Sequence, residues 1–143
     1  MAKAYLSPYL NFKNQTEEAM NFYHSVLGGD LEMQKFSDVP GMEVEESKKD
    51  LIMHSTLKSD DLSFMASDAQ PNSDLVVGTN VMLSIAGADV EKITGYFNGL
   101  AEGGTITTPL EKMFWGDTFG ALTDKFGIHW IVNIGSTETG RED

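Results

Sequence analysis

The chain has 143 residues, enough for one core or for two small modules and too few for a large multidomain enzyme. Apolar residues make up 41% and charged residues 22%, and 10 basic against 22 acidic side chains leave a formal charge of −12, which disfavours nucleic acid and anionic membrane surfaces as partners. The absence of cysteine excludes a disulfide framework, a thiolate nucleophile and any cysteine-ligated zinc or iron–sulfur site.

Residues 8–12 (PYLNF) alternate Pro8, Leu10 and Phe12 with other side chains, the period of a strand with two different faces. Thr16-Glu17-Glu18 then opens a helix, with Thr16 as the expected N-cap and acidic groups in the first turn. Ala19, Phe22, Tyr23, Val26 and Leu27 fall on one side of it, and Gly28-Gly29 stops it. Residues 31–36, 51–57 and 62–67 read as three strands. The acidic stretch between the first two of these lacks the Asp-x-Asp-x-Asp-Gly pattern of a calcium loop and reads as a solvated loop.

The same order then recurs. Residues 80–85 (NVMLSI) alternate as a strand; residues 89–100 carry Val90, Ile93, Tyr96, Phe97 and Leu100 at helical spacing; and Gly103-Gly104 stops this helix as Gly28-Gly29 stopped the first. Residues 105–109, 113–122 and 129–134 supply three more strands. Phe22-Tyr23 answers Tyr96-Phe97 at an offset of 74 residues, the mark of an internal repeat. The expected fold class is α+β, with βαβββ modules at residues 1–70 and 80–136, a connector at 71–79 and a polar, disordered tail at 137–143. The start of the chain shows no secretory signal pattern and no apolar run reaches the length of a membrane span, so the sequence reads as cytoplasmic.

With these elements in place, several short stretches resemble the vicinal oxygen chelate superfamily of glyoxalases, bleomycin-resistance proteins and dioxygenases, and within it the PhnB-like branch. The residues that carry the resemblance are Pro8-Tyr9-Leu10-Asn11-Phe12, Glu18-Ala19 through Phe22-Tyr23 to Gly28-Gly29, Ile52-Met53-His54, Met65-Ala66-Ser67-Asp68, Phe114-Trp115-Gly116-Asp117, and Asp124-Lys125-Phe126-Gly127-Ile128-His129-Trp130. The resemblance covers residues 5–134. It implies an open cup-shaped sheet with helices outside, a ligand on the concave floor, and pairing of chains as a homodimer.

Metal-using members of that superfamily place four His, Gln or Glu ligands on the strands lining the cup. The matching positions here hold Ser7, Asn80, Ile131 and Phe64, or Met65 if the register slips by one, so the expectation is no metal and no cofactor. A divalent metal at a nonstandard site is the alternative. Strand alternation puts Ile52, His54 and Thr56 on the cup side, and likewise His129, Ile131 and Asn133; Asp68 joins them if Phe64, Ala66 and Asp68 point inward. A set of His54, Asp68 and His129 suits acid/base work, whereas the structural alternative has each histidine hydrogen-bonded to a strand or turn and Asp68 capping a loop. His24 reads as part of a solvated helix face. Alternation through residues 113–119 places Met113, Trp115, Asp117 and Phe119 on one face, which reads as a pocket wall or as core, and Tyr9 and Met82 add an apolar floor.

Two functions follow. One is a metal-independent binder of a small apolar or aromatic molecule, held by Tyr9, Met82, Trp115, Asp117, Phe119 and His129. The other is a glyoxalase- or dioxygenase-like lyase or oxidoreductase that uses His54, Asp68 and His129. The methyltransferase name carried by PhnB-like relatives gains no support, since no glycine loop for a nucleotide methyl donor is present. The acidic balance favours a cationic or neutral small-molecule ligand over a phosphonate.

Overall fold

Tyr23 and Phe97, 74 residues apart in the chain, are buried at equivalent places in two copies of one module. The computed structural model of the protein describes residues 4–38, 40–41, 45–60, 62–68 and 75–135. Parts of the expected acidic loop and connector, and the whole expected tail at 137–143, lie outside the described residues. The chain divides into two units, residues 1–76 and 77–143.

The first unit runs β1 (Tyr9–Phe12), α1 (Thr16–Leu27), β2 (Asp30–Lys35), β3 (Ile52–Lys58) and β4 (Ser63–Asp68), and its sheet has the order β1-β4-β3-β2. The second unit runs β5 (Leu83–Gly87), α2 (Val90–Ala101), β6 (Thr105–Lys112), β7 (Thr118–Thr123) and β8 (His129–Ile134), with the order β5-β8-β7-β6. In each, the first strand pairs parallel with the last and the other pairings are antiparallel. The fold is therefore α+β, built of two βαβββ modules. The helices span 12 residues each, and both their starts and their ends are 74 residues apart, as the repeat implied.

Each helix packs on its own sheet through the apolar side that its spacing creates. Ala19, Met20, Tyr23 and Leu27 of α1 are buried with Phe12, Ile52, Leu57, Phe64 and Ala66, and the Tyr23 ring stands edge-on to Phe64 with centroids 5.7 Å apart. In the second unit, Ile93, Phe97 and Leu100 of α2 are buried, as are Leu122, Trp130, Val132 and Ile134 of the sheet. A Cβ on Gly120 would stand 2.7 Å from the Phe97 ring, so the missing side chain is what lets α2 approach β7.

The glycine pairs also do equivalent work. Gly28 (φ +74) and Gly103 (φ +77) take the left-handed turn after each helix, while Gly29 and Gly104 pass so close to Lys58 and Thr123 that a Cβ would collide with a backbone carbonyl. A carbonyl in a paired strand cannot step aside. We therefore expect Gly104→Ala to destabilise the protein by about 2 kcal/mol in urea unfolding. Gly95→Ala, on the exposed side of α2 with open space around it, should stabilise by about 0.5–1 kcal/mol. Equal effects at the two sites would contradict this reading.

Four sequence expectations require correction. Thr16 is not the N-cap of α1 but its first helical residue; Gln15 occupies the cap position without a side-chain bond, and the Thr16 N–H donates to Asp68 Oδ1 at 3.1 Å. The stretch 113–122 is not one strand. Residues 113–117 form a tight hairpin turn between β6 and β7, closed by Met113 N–H to Asp117 O at 2.8 Å and Gly116 N–H to Met113 O at 3.0 Å, so the strand alternation expected there does not apply. The first strand of the second module begins at Leu83 instead of residue 80. Ile52 does not accompany His54: a bulge lets Lys35 pair with Ile52 while Gln34 pairs with His54, and the extra residue, Met53, reverses the alternation so that Ile52 is buried.

Candidate functional site

Because helices cover one face of each sheet, the register identifies the other. In the first unit, Glu32 stands opposite Thr56, Thr56 opposite Met65, and Met65 opposite Tyr9, while Gln34 stands opposite His54. These residues share the face away from α1. The Tyr9 hydroxyl lies 3.3 Å from His54 Nδ1, and Thr56 Oγ1 lies 3.3 Å from His54 Nε2. A Tyr9 O–H that donates to Nδ1 leaves the neutral imidazole with its proton on Nε2, directed at Thr56. Beside this chain lies an open groove of about 400 Å³ lined by Glu32, Met33, Gln34, Asp38, His54 and Thr56.

Asp68 is elsewhere. It follows Phe64 and Ala66 on the helix-facing side of β4, is 3% exposed, and accepts backbone N–H bonds from Thr16 at 3.1 Å and Ile52 at 2.8 Å. Its carboxylate thus ties the N-terminus of α1 to the start of β3, where the helix dipole also favours a negative charge. The structure does not bring it to His54.

In the second unit, Phe119, Ala121 and Thr123 of β7 stand opposite Asn133, Ile131 and His129 of β8, forming the face away from α2. His129 has both ring nitrogens engaged, Nε2 at 3.0 Å from the Gly78 carbonyl and Nδ1 at 2.9 Å from Thr123 Oγ1. A carbonyl only accepts, so Nε2 carries the proton and Nδ1 takes the Thr123 hydroxyl hydrogen in the neutral ring. That leaves no free lone pair for a metal or a substrate proton. His24 is exposed in the last turn of α1, and its Nε2 lies 3.0 Å from the Gly29 carbonyl.

The hairpin turn 113–117 carries the most exposed aromatic group of this unit. Phe114 is 96% exposed and Trp115 51%; their rings are near-perpendicular, with centroids 5.0 Å apart, and Trp115 stands at 70° to Phe119 at 6.1 Å. Asp117 accepts a 2.9 Å bond from Asn133 Nδ2, which fixes the carboxylate beside Phe119. Of the residues expected to bind ligand, the structure brings together Trp115, Asp117 and Phe119. Met82 precedes β5 and is half-exposed, and Tyr9 meets His54 in the first unit. Sequence reasoning missed Asn133 as the partner of Asp117, and Thr56 and Thr123 as partners of the histidines. Cross-strand register brings Thr123 to His129, the turn brings Asp117 to Asn133, and Thr56 lies two residues from His54 on the same face of β3, a signal that strand alternation could have given.

The match to known proteins now has a geometry to rest on. The family described as 3-demethylubiquinone-9 3-methyltransferase matches residues 4–133. The chain belongs to this family. Protein PA1353 of Pseudomonas aeruginosa has the same fold with a TM-score of 0.83 and 38% identity, over 92% of this chain and 98% of that one. A PhnB protein from Bacillus cereus superposes with a TM-score of 0.72 at 27% identity, over 92% and 100%. A glyoxalase/bleomycin resistance protein from Albidiferax ferrireducens shares the fold with a TM-score of 0.60 at 16% identity, over 92% and 98%. The PhnB-like chain therefore stands on the glyoxalase/bleomycin-resistance fold, as the sequence resemblance implied.

A divalent ion at that fold's usual positions does not fit these side chains. Phe64 lies on the helix side of β4, so the register gives its place to Met65, whose thioether is a poor ligand for such an ion; Ile131 is aliphatic, and Ser7 and Asn80 are weak neutral donors. Among the described residues no three His, Asp or Glu side chains gather to hold a metal, and no helix is long and apolar enough to cross a membrane.

Proposed function

We propose that this PhnB-like protein binds a small molecule with an aromatic or apolar portion, without a resident metal, at the hairpin that joins β6 to β7. The observation that carries this is the half-exposed Trp115 ring held against Phe119, with Asp117 anchored by Asn133 at 2.9 Å. A ligand pocket combines apolar and aromatic surface with a few fixed polar groups, and this corner has both. The rival acid/base reading lacks its parts: Asp68 is spent on two backbone N–H groups and His129 on two hydrogen bonds.

The test is a thermal-shift screen of quinones, aromatic cations, phosphonates and α-ketoaldehyde–thiol adducts, run with a chelator and with added zinc, nickel or iron. The expected result is stabilisation by an aromatic compound in the chelator arm, lost in Trp115→Ala. Stabilisation that requires metal contradicts the proposal. So does turnover that disappears in His129→Ala while ligand affinity is retained.

A further inference from the structure

The corner at Trp115 is more particular than an apolar patch. Phe114 and Phe119 each meet the indole edge to face, at 86° and 70° and centroid distances of 5.0 and 6.1 Å, and Phe114 and Trp115 keep much of their surface open, at 96% and 51% exposure. An aromatic face is the negative end of a ring quadrupole, and an exposed one attracts a cation that is too weakly hydrated to prefer water. The geometry points to a quaternary ammonium group, of the choline type, as the ligand portion that this corner takes. The inference rests on the binding reading above and narrows its ligand.

Two further observations agree. The Asp117 carboxylate, two residues from Trp115, is fixed by Asn133 and supplies a negative charge beside the rings, in a chain whose net charge is −12. The turn is preorganised: Met113 N–H to Asp117 O, Gly116 N–H to Met113 O and a φ of +102 at Gly116 hold the aromatic residues in place before any ligand arrives. Lys112, opposite Thr118 at the base of the same hairpin, makes no ion pair or ring contact among the described residues.

A neutral carbon isostere separates charge from shape. Choline, tetramethylammonium and 3,3-dimethylbutan-1-ol, whose tert-butyl group replaces the trimethylammonium of choline, are titrated at constant ionic strength while Trp115 emission is followed; the other tryptophan, Trp130, is 2% exposed. Both cations should bind about three- to tenfold more tightly than the alcohol. Trp115→Leu should abolish that preference, and Asp117→Asn, with its fold checked by circular dichroism, should weaken choline more than it weakens the alcohol. Equal or tighter binding of the alcohol, dependent on Trp115, overturns the cation inference and leaves the aromatic-binding reading standing. No response to either cation overturns the inference, and the thermal-shift screen then decides the broader reading separately.

Discussion

Asp124→Ala should cost roughly 3 kcal/mol of stability, moving the urea midpoint down by about 1 M or more. Asp124 is 3% exposed in the turn between β7 and β8, where Oδ1 accepts from Phe126 N–H at 2.8 Å and Ile128 N–H at 3.1 Å, and Oδ2 accepts from Trp130 Nε1 at 2.8 Å. Alanine strands three donors, two of them on the backbone and one deep beside the core. Asp124→Asn should cost about half as much, since its oxygen still serves the backbone while its NH₂ faces the indole donor. Near-UV circular dichroism of Trp130 reads the same loss locally. A midpoint unchanged in Asp124→Ala would show that water replaces the carboxylate at no cost.

The second large effect is expected at Asp68, and it bears on function as well as stability. Asp68→Ala removes the acceptor for Thr16 N–H and Ile52 N–H, so α1 loses its cap and β3 its anchor together, at a cost of roughly 2–3 kcal/mol. Asp68→Asn keeps one acceptor and should lose about half of that. Because the carboxylate lies on the helix side of β4, the affinity of Asp68→Asn for any compound found in the screen should match that of the unsubstituted protein. Loss of binding with stability retained would place Asp68 in the ligand site and revive the acid/base reading.

These two aspartates show what the sequence could and could not convey. The Asp124-Lys125-Phe126-Gly127 stretch is local: Gly127 N–H returns to Asp124 O at 2.9 Å, and an aspartate three residues before a glycine is a turn signal in any fold. Asp68 is not local. It caps a helix 52 residues earlier in the chain, and a reader of the sequence, seeing Thr16 before two glutamates, assigns the cap to the nearer hydroxyl. The repeat was legible because helix length, the aromatic pair and the glycine stops depend on short-range spacing; the helices and the aromatic pair recur at an offset of 74 residues and the glycine pairs at 75.

The hairpin at 113–117 was hidden for the opposite reason. Met113, Phe114 and Trp115 read as strand because large apolar residues usually do; only Gly116-Asp117 speaks for a turn, and the aromatic rings there are exposed instead of packed. A local rule broken without a packing gain marks a place where function is the better explanation. That departure supports the proposed ligand corner, and the sequence alone could not separate it from core. His54 and His129 were correctly placed on the sheet faces away from the helices, but apart from Thr56, which is two residues from His54 on the same strand, the groups that engage their nitrogens are Thr123, Tyr9 and Gly78, which only register and turns bring near.

The most direct test of binding without metal at the aromatic hairpin is a two-dimensional ¹H–¹⁵N spectrum of chelator-stripped protein, in which each of the two tryptophans gives one indole N–H signal. Titration with the best compound from the screen should move the Trp115 signal saturably and leave the Trp130 signal, hydrogen-bonded to Asp124, in place. A Trp115 signal that stays fixed at saturating ligand, or that moves only after zinc, nickel or iron is restored, would contradict the account.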